Sequence, residues 1–125
     1  MTLRDIQRLL DAEVIAGNES LDREISHAFA ADLLSDVLAI ARRGADGALL
    51  ITGNITLQVI YTADVVDLGA ILFARGKRPT ESMVELANQM QIPLLMTPYI
   101  MFETCGRLYQ LGLKGCVEKA GHGSD

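Results

Sequence analysis

Three short apolar runs, each followed by a segment with helical spacing, constrain the fold of this chain most strongly. The runs are residues 48–51, 70–73 and 93–96, and Gly, Thr or Pro bounds each of them. Parallel strands must be joined by a crossover of a dozen or more residues, which is usually a helix. The alternation therefore predicts an α/β fold, a small parallel β-sheet flanked by helices.

Apolar spacing and turn residues predict the remaining elements. Five helices are expected, over residues 3–11, 33–43 and 56–66, from Pro79 or Thr80, and from Thr97-Pro98. Two short strands are expected over residues 13–16 and 25–31, with a turn at 17–20 between them. Asp32 is expected to cap the second helix. Leu49, Ile71 and Leu95 should then be neighbours at the centre of one layer.

The helix predicted over residues 56–66 carries apolar residues on more than one stripe. A helix that is apolar over so wide an arc is expected to be buried on two sides. Two interpretations remain open for this helix. It contacts a second copy of the chain, or it lies at the centre of its own fold.

Composition favours one domain with a partner surface. The 125 residues fit one domain, predicted over residues 1–115, and loss of periodicity predicts a flexible tail over 116–125. Half of the residues are apolar. Parallel strands explain part of this excess, and a surface covered by a second copy explains the rest. The sequence therefore predicts a homodimer.

The charge pattern disfavours several function classes. The formal net charge is −5, and residues 1–40 hold three arginines against eight acids. Nucleic-acid binding depends on a basic surface, so no nucleic-acid partner is expected. No signal peptide is visible, and no apolar run approaches the roughly 20 residues that span a bilayer. We therefore expect a cytoplasmic protein without membrane contact.

Three loops follow the predicted core strands and should share one edge of the sheet, where open α/β sheets bind ligands. Glycine N–H groups, helix starts and cationic side chains there favour an anion such as a nucleotide phosphate. Turn formation, capping and solvation explain the same residues without a ligand. The ligand-binding candidates are Gly53, Asn54, Arg75, Gly76 and Thr97.

No metal site, cofactor or catalytic site is predicted. Cys105, Cys116, His27 and His122 have no partner at the spacing of metal ligands. Cys105 is expected in the core, and His27 is expected to be packed in its strand or to lie at an interface. No serine lies in a nucleophile elbow. The chain is therefore not expected to be an enzyme.

Three segments resemble one known family. Residues 31–38, Ala-Asp-Leu-Leu-Ser-Asp-Val-Leu, are similar to the segment before the core sheet of DRTGG-domain proteins. Residues 3–17 resemble the N-terminal unit of that family, and residues 91–98 resemble its last strand and turn. The resemblance covers about residues 2–113. The family is itself similar to the N-terminal domain of HPr kinase/phosphorylase.

The residues that name the family differ in this chain. Where the family has an Asp-Arg pair, this sequence reads Gly53-Asn54. Where the family has Thr-Gly-Gly after the next strand, this sequence reads Ala74-Arg75-Gly76 and keeps one glycine. The signature is therefore degenerate.

The resemblance implies a non-catalytic, dimer-forming regulatory module with an α/β fold. The family occurs alone, in some phosphate acetyltransferases and in pyrophosphatases with CBS domains, where other domains carry out the chemistry. Two functions follow for this chain. The first is a regulatory or dimerisation module acting as a homodimer. The alternative is a sensor that binds a nucleotide or phosphorylated metabolite at the strand-end loops.

Overall fold

The three apolar runs form adjacent parallel strands at the centre of a six-stranded sheet. The strand order is β1-β5-β4-β3-β2-β6, and every pair is parallel except β1 with β5. The strands are β1 (Glu13–Ala16), β2 (His27–Ala30), β3 (Leu49–Thr52), β4 (Ala70–Phe73), β5 (Leu94–Met96) and β6 (Lys114–Gly115). This computed structural model describes residues 1–121. The predicted fold class is confirmed.

Within residues 1–121, five helices cover the two faces of the sheet. They are α1 (Leu3–Leu9), α2 (Leu34–Ala41), α3 (Leu57–Val65), α4 (Glu81–Met90) and α5 (Met101–Gln110). The predicted turn at 17–20 is confirmed, since Gly17 has φ +84° and a 3₁₀ turn follows at Asn18–Ser20. A Cβ at Gly17 would lie 2.8 Å from the Cα of Pro93. Only glycine fits this turn.

The core consists of two apolar layers, one on each side of the sheet. Successive strand residues point to opposite faces. Leu50, Ile71 and Leu94 therefore face α2, α3 and α4, whereas Leu49, Leu72 and Leu95 face α1 and α5. The expectation that Leu49, Ile71 and Leu95 are neighbours is confirmed for their strands, which adjoin one another, but is wrong for their side chains. Leu49 pairs with Ala70 and Leu95 pairs with Leu72, whereas Ile71 faces the opposite side of the sheet.

Helix α3 is buried on one side only. Val59, Ile60 and Ala63 pack into the core, whereas Tyr61 and Val65 lie on the outer side. The expectation of burial on two sides within one chain is wrong, because its outer stripe has no helix packed over it in residues 1–121. Contact with a second copy stays a prediction.

The C-terminal segment begins with a strand that the sequence analysis did not predict. Lys114 and Gly115 pair with β2, and the N–H of Cys116 donates to the carbonyl of Ala28. Arg43 Nη1 donates to the carbonyl of Lys119 at 2.6 Å. The end of the domain at residue 115 stays a prediction, and His122 and the rest of the predicted tail to residue 125 lie outside the described residues.

Candidate functional site

The loops after β2, β3, β4 and β5 meet at one edge of the sheet, as expected for parallel strands. We call this region the strand-end edge. Its residues are Asp32, Gly53, Asn54, Ala74, Arg75, Gly76, Lys77 and Thr97. All five candidate residues from the sequence therefore lie in it, together with Asp32 and Lys77. Its hydrogen bonds decide what it can bind.

Asp32 connects two loops of the strand-end edge and does not cap α2. Its Oδ1 accepts from the N–H of Gly53 at 2.7 Å and from Thr52 Oγ1 at 3.3 Å. Asn54 Nδ2 donates to the carbonyl of Asp32 at 2.8 Å. Helix α2 instead begins at Leu34, and Leu33 gives it no side-chain cap. The predicted cap is wrong because the carboxylate is held by the neighbouring loop.

Arg75 and Gly76 form a left-handed turn after β4. Their φ angles are +59° and +65°. The N–H of Arg75 donates to the carbonyl of Tyr99 at 2.7 Å, and the N–H of Gly76 donates to the carbonyl of Thr97 at 2.8 Å. With the N–H of Gly53 bound to Asp32, these N–H groups are all occupied. The expected backbone cradle for an anion is therefore not available.

Thr97 is a buried structural residue and not a helix cap. Its Oγ1 donates to the carbonyl of Leu10 at 2.7 Å and accepts from the N–H of Tyr99 at 3.3 Å. Helix α5 begins later, at Met101, with Ile100 as its N-cap residue. The predicted helix start at Thr97-Pro98 is wrong, because the threonine hydroxyl instead joins the end of α1 to the loop after β5.

Charged side chains border a small cavity at the strand-end edge. The cavity has a volume of about 220 Å³ and is lined by Asp32, Gly53, Ala74, Arg75, Lys77, Ile100 and Met101. Lys77 Nζ donates to the carbonyl of Gly53 at 3.2 Å, and within residues 1–121 the exposed guanidinium of Arg75 forms no ion pair. Of the five candidates, Gly53 and Arg75 line the cavity, whereas Asn54, Gly76 and Thr97 do not.

An ion pair connects the residue after Lys77 of the strand-end edge to β1. Arg78 Nη2 and Nη1 donate to the two carboxylate oxygens of Glu13 at 2.8 and 3.1 Å. These hydrogen bonds hold the pKa of Glu13 below its ordinary value. The charge of Lys77 was expected in this region from its position in the loop after β4, whereas Asp32 was expected only as a helix cap. The position of Asp32 directly after a predicted strand was the available signal for its place in the edge.

The remaining titratable residues lie apart from the strand-end edge. His27 is exposed at the start of β2, with Ser26 Oγ 3.0 Å from its Nδ1. The expectation of a histidine packed in its strand is therefore wrong, and the alternative of an interface position stays a prediction. Cys105 packs against the core layer of α1 and α5, and burial raises the pKa of its thiol. Across residues 1–121 no three His, Cys, Asp or Glu side chains cluster to hold a metal ion.

The part of the chain that the structure describes contains no helix with the length and apolar character needed to span a bilayer.

Comparisons with known proteins match nearly the whole of this fold. The family model described as the DRTGG domain matches residues 5–111. The chain is 27% identical over 103 residues to the uncharacterized protein YtoI of Bacillus subtilis (strain 168). The match covers 82% of this chain and 22% of that protein. The chain thus spans about a fifth of the length of this relative.

A solved structure shares the fold. It is the crystal structure of the CBS and DRTGG domains of the regulatory region of Clostridium perfringens pyrophosphatase, complexed with its activator, diadenosine tetraphosphate. The TM-score is 0.70 at 19% identity, and the match covers 90% of this chain and 47% of that one. At this identity the likeness establishes the architecture.

Proposed function

This chain belongs to the DRTGG domain family, and we propose that it is a regulatory domain that acts as a homodimer and has no catalytic activity. DRTGG domains are regulatory, and the similar pyrophosphatase structure comes from a regulatory region. The observation that supports dimerisation is the number of large apolar side chains at the surface. They are Leu33, Leu38, Leu57, Tyr61, Val65, Ile100, Phe102, Tyr109 and Leu111.

Five of these side chains lie on three helices, and Leu38 and Val65 border the same cleft. Leu38, Tyr61 and Val65 belong to the adjoining helices α2 and α3, whereas Phe102 and Tyr109 belong to α5 on the opposite face of the sheet. Single exposed apolar residues are common, but contiguous patches mark surfaces that other molecules cover. In a two-fold dimer the same patch lies on both partners, so a second copy of the chain can cover it.

Molar mass in solution tests the homodimer. The chain has a mass of 13.6 kDa, and light scattering at micromolar concentrations is expected to give twice this value. Dilution should shift the mass towards that of one chain. A single-chain mass throughout the micromolar range would contradict the proposal.

The cavity at the strand-end edge supports a second candidate function, the sensing of a phosphorylated small molecule. Arg75 and Lys77 supply two positive charges to the cavity against one carboxylate, that of Asp32. The start of α5 also lines the cavity, and helix N-termini carry partial positive charge. The volume of about 220 Å³ is below the 300–1,000 Å³ typical of ligand pockets. We therefore expect it to enclose a phosphate group and leave the rest of a nucleotide outside.

Thermal unfolding with a panel of adenine nucleotides tests the sensor. A ligand at 100 times its Kd should stabilise the folded chain by about 2.7 kcal/mol. Arg75→Ala and Lys77→Ala should each abolish the shift, since the anion is held by these side chains. Lys114→Ala, in the distant strand β6, is the control and should retain it. A panel without any shift, or a shift unaffected by both substitutions, would contradict this candidate.

A further inference from the structure

The outer side of α5 carries two aromatic side chains that nothing in residues 1–121 covers. Phe102 is 87% exposed and Tyr109 is 73% exposed. Gly106 lies between them, and a Cβ there would meet no atom within 4 Å. The spacing of four and three residues places all three on one side of the helix. We call this surface, formed by Phe102, Gly106 and Tyr109, the α5 face.

The orientation of α5 is fixed by its inner side. Leu108 is buried, and Thr104 Oγ1 donates to the carbonyl of Ile100 at 2.9 Å. Residues four or three positions apart share a side of a helix. Thr104 and Leu108 form such a pair, and neither Phe102 nor Tyr109 is three or four positions from either of them. The α5 face therefore points away from the core as a property of the packed helix.

An apolar cleft opens beside the α5 face. It has a volume of about 170 Å³, lies between α5 and the strands β2 and β6, and is bordered by Tyr109. Its other lining residues include Ala28, Ala30, Cys105, Leu108 and Leu113. Protein interfaces obtain most of their binding energy where an aromatic side chain fills such a pocket.

The spacing of the aromatic side chains on the α5 face is compatible with a two-fold axis. Phe102 and Tyr109 lie equally far on either side of the boundary between Cys105 and Gly106, about 10 Å apart along the helix axis. A two-fold axis at that boundary, with two α5 helices antiparallel, places Phe102 opposite the partner's Tyr109 and over the cleft beside it. Gly106 lies at the axis, where the absence of a side chain lets the helices approach.

Charge favours the antiparallel arrangement. Arg107 Nε donates to Glu103 Oε2 at 3.0 Å within one helix. In an antiparallel pair, Glu103 also approaches the partner's Arg107, so that two acids face two bases. A parallel pair would place Glu103 and the partner's Arg107 one turn apart and on opposite sides of the contact, so it lacks this attraction.

The outer side of α3 fits a second copy less well. A cleft lies beside Val65, but Arg42, Asp46 and Asp67 line it. An apolar side chain inserted there would remove these charged groups from water without giving them partners. The cleft beside the α5 face has no charged lining residue except Lys114.

From this geometry we infer that the α5 face is the interface between two copies of the chain, with Phe102 filling the cleft of the partner. The inference rests on the proposed homodimer and adds its surface, symmetry and anchor residue. It predicts which substitutions separate the two copies.

Molar masses of matched variants test the surface. Phe102→Asp is expected to have the mass of one chain, whereas Tyr61→Asp on α3 should retain twice that mass. Circular dichroism is the control and should show that both variants are folded. If the unsubstituted chain is a dimer and Phe102→Asp remains one, the inference fails and the homodimer stands. If the unsubstituted chain is a monomer, both fail.

A charge exchange tests the antiparallel pairing. Glu103→Arg alone and Arg107→Glu alone should each raise the dimer dissociation constant about tenfold, because like charges then meet across the axis. The double variant with both substitutions should restore the dissociation constant of the unsubstituted chain, since each base again faces an acid. Unchanged dissociation constants in both single variants, or a double variant as weak as the single ones, would overturn the antiparallel arrangement.

Discussion

The strand-end edge and the α5 face differ in whether their groups already have partners inside the chain. At the strand-end edge, the N–H groups of Gly53, Arg75 and Gly76 donate to a carboxylate and two carbonyls of neighbouring loops. On the α5 face, Phe102 and Tyr109 lie almost wholly in solvent. The backbone donors of the strand-end edge already have hydrogen-bond partners, whereas the aromatic side chains of the α5 face are covered by nothing in residues 1–121.

This difference separates what each region can do. The strand-end edge can offer a ligand only side chains, chiefly Arg75 and Lys77, because its backbone donors are occupied. The α5 face offers apolar area, which stabilises a complex in proportion to the surface removed from water. Substitutions at the strand-end edge should therefore lower fold stability, and substitutions on the α5 face should leave it unchanged.

The largest effect at the strand-end edge is expected for Thr97→Val. The valine leaves the carbonyl of Leu10 and the N–H of Tyr99 without their buried partner. The free energy of unfolding should fall by about 1–3 kcal/mol, as for other buried groups that lose a hydrogen bond. Urea denaturation measures it. Thr62→Val on α3, whose hydroxyl forms no hydrogen bond in the described chain, is the control and should stay near zero.

Asp32→Ala should have the next largest effect. The substitution removes the acceptor for the N–H of Gly53 and for Thr52 Oγ1, and the partial exposure of the pair limits the loss to about 1 kcal/mol. Asp32→Asn keeps an oxygen acceptor and should recover most of it. Equal losses for the alanine and asparagine variants in urea denaturation would show that the hydrogen bonds are not responsible.

The ion pair of Glu13 and Arg78 should give a smaller, pH-dependent effect. The pKa of Glu13 in the folded chain is lower than its ordinary value of 4.5. The ion pair therefore stabilises the fold above that value, and this stabilisation disappears as the pH falls through the folded pKa of Glu13. Urea midpoints of the unsubstituted chain and Glu13→Gln should differ slightly at pH 7 and converge in acid. A difference that grows in acid would have the wrong sign.

The smallest effect on folding is expected for Phe102→Ala. The side chain contacts almost nothing within its own chain, so the free energy of unfolding of the monomer should change by less than about 0.5 kcal/mol. Urea denaturation at a concentration below the dimer dissociation constant measures this. A loss comparable to that of Thr97→Val would mean that Phe102 belongs to the core and not to an interface.

Much of the fold was predictable because it depends on repeating apolar patterns. The runs at residues 48–51, 70–73 and 93–96 predicted three central strands within one residue, since strands buried on both faces are apolar along their length. The strand Lys114–Gly115 was not predictable. Two exposed residues carry no periodicity, and they form a strand only because β2 lies beside them.

The candidate site was predictable in position but not in chemistry. Strand ends identify Gly53, Arg75 and Gly76 as neighbours, whereas occupation of their N–H groups depends on residues far along the chain. The caps expected at Asp32 and Thr97 were wrong for the same reason, because a loop and a distant carbonyl provide partners that local sequence does not show. The exposure of Phe102 was not predicted, because it follows from how α5 packs against the sheet.

Hydroxyl-radical footprinting across a concentration series tests the central claim most directly, because it reports both helices in one sample. As the protein concentration rises through the dimer dissociation constant, oxidation of Phe102 and Tyr109 should fall together, while Tyr61 on α3 remains reactive. Protection of Tyr61 with Phe102 unchanged, or no protection at any concentration, would contradict the assignment of the α5 face.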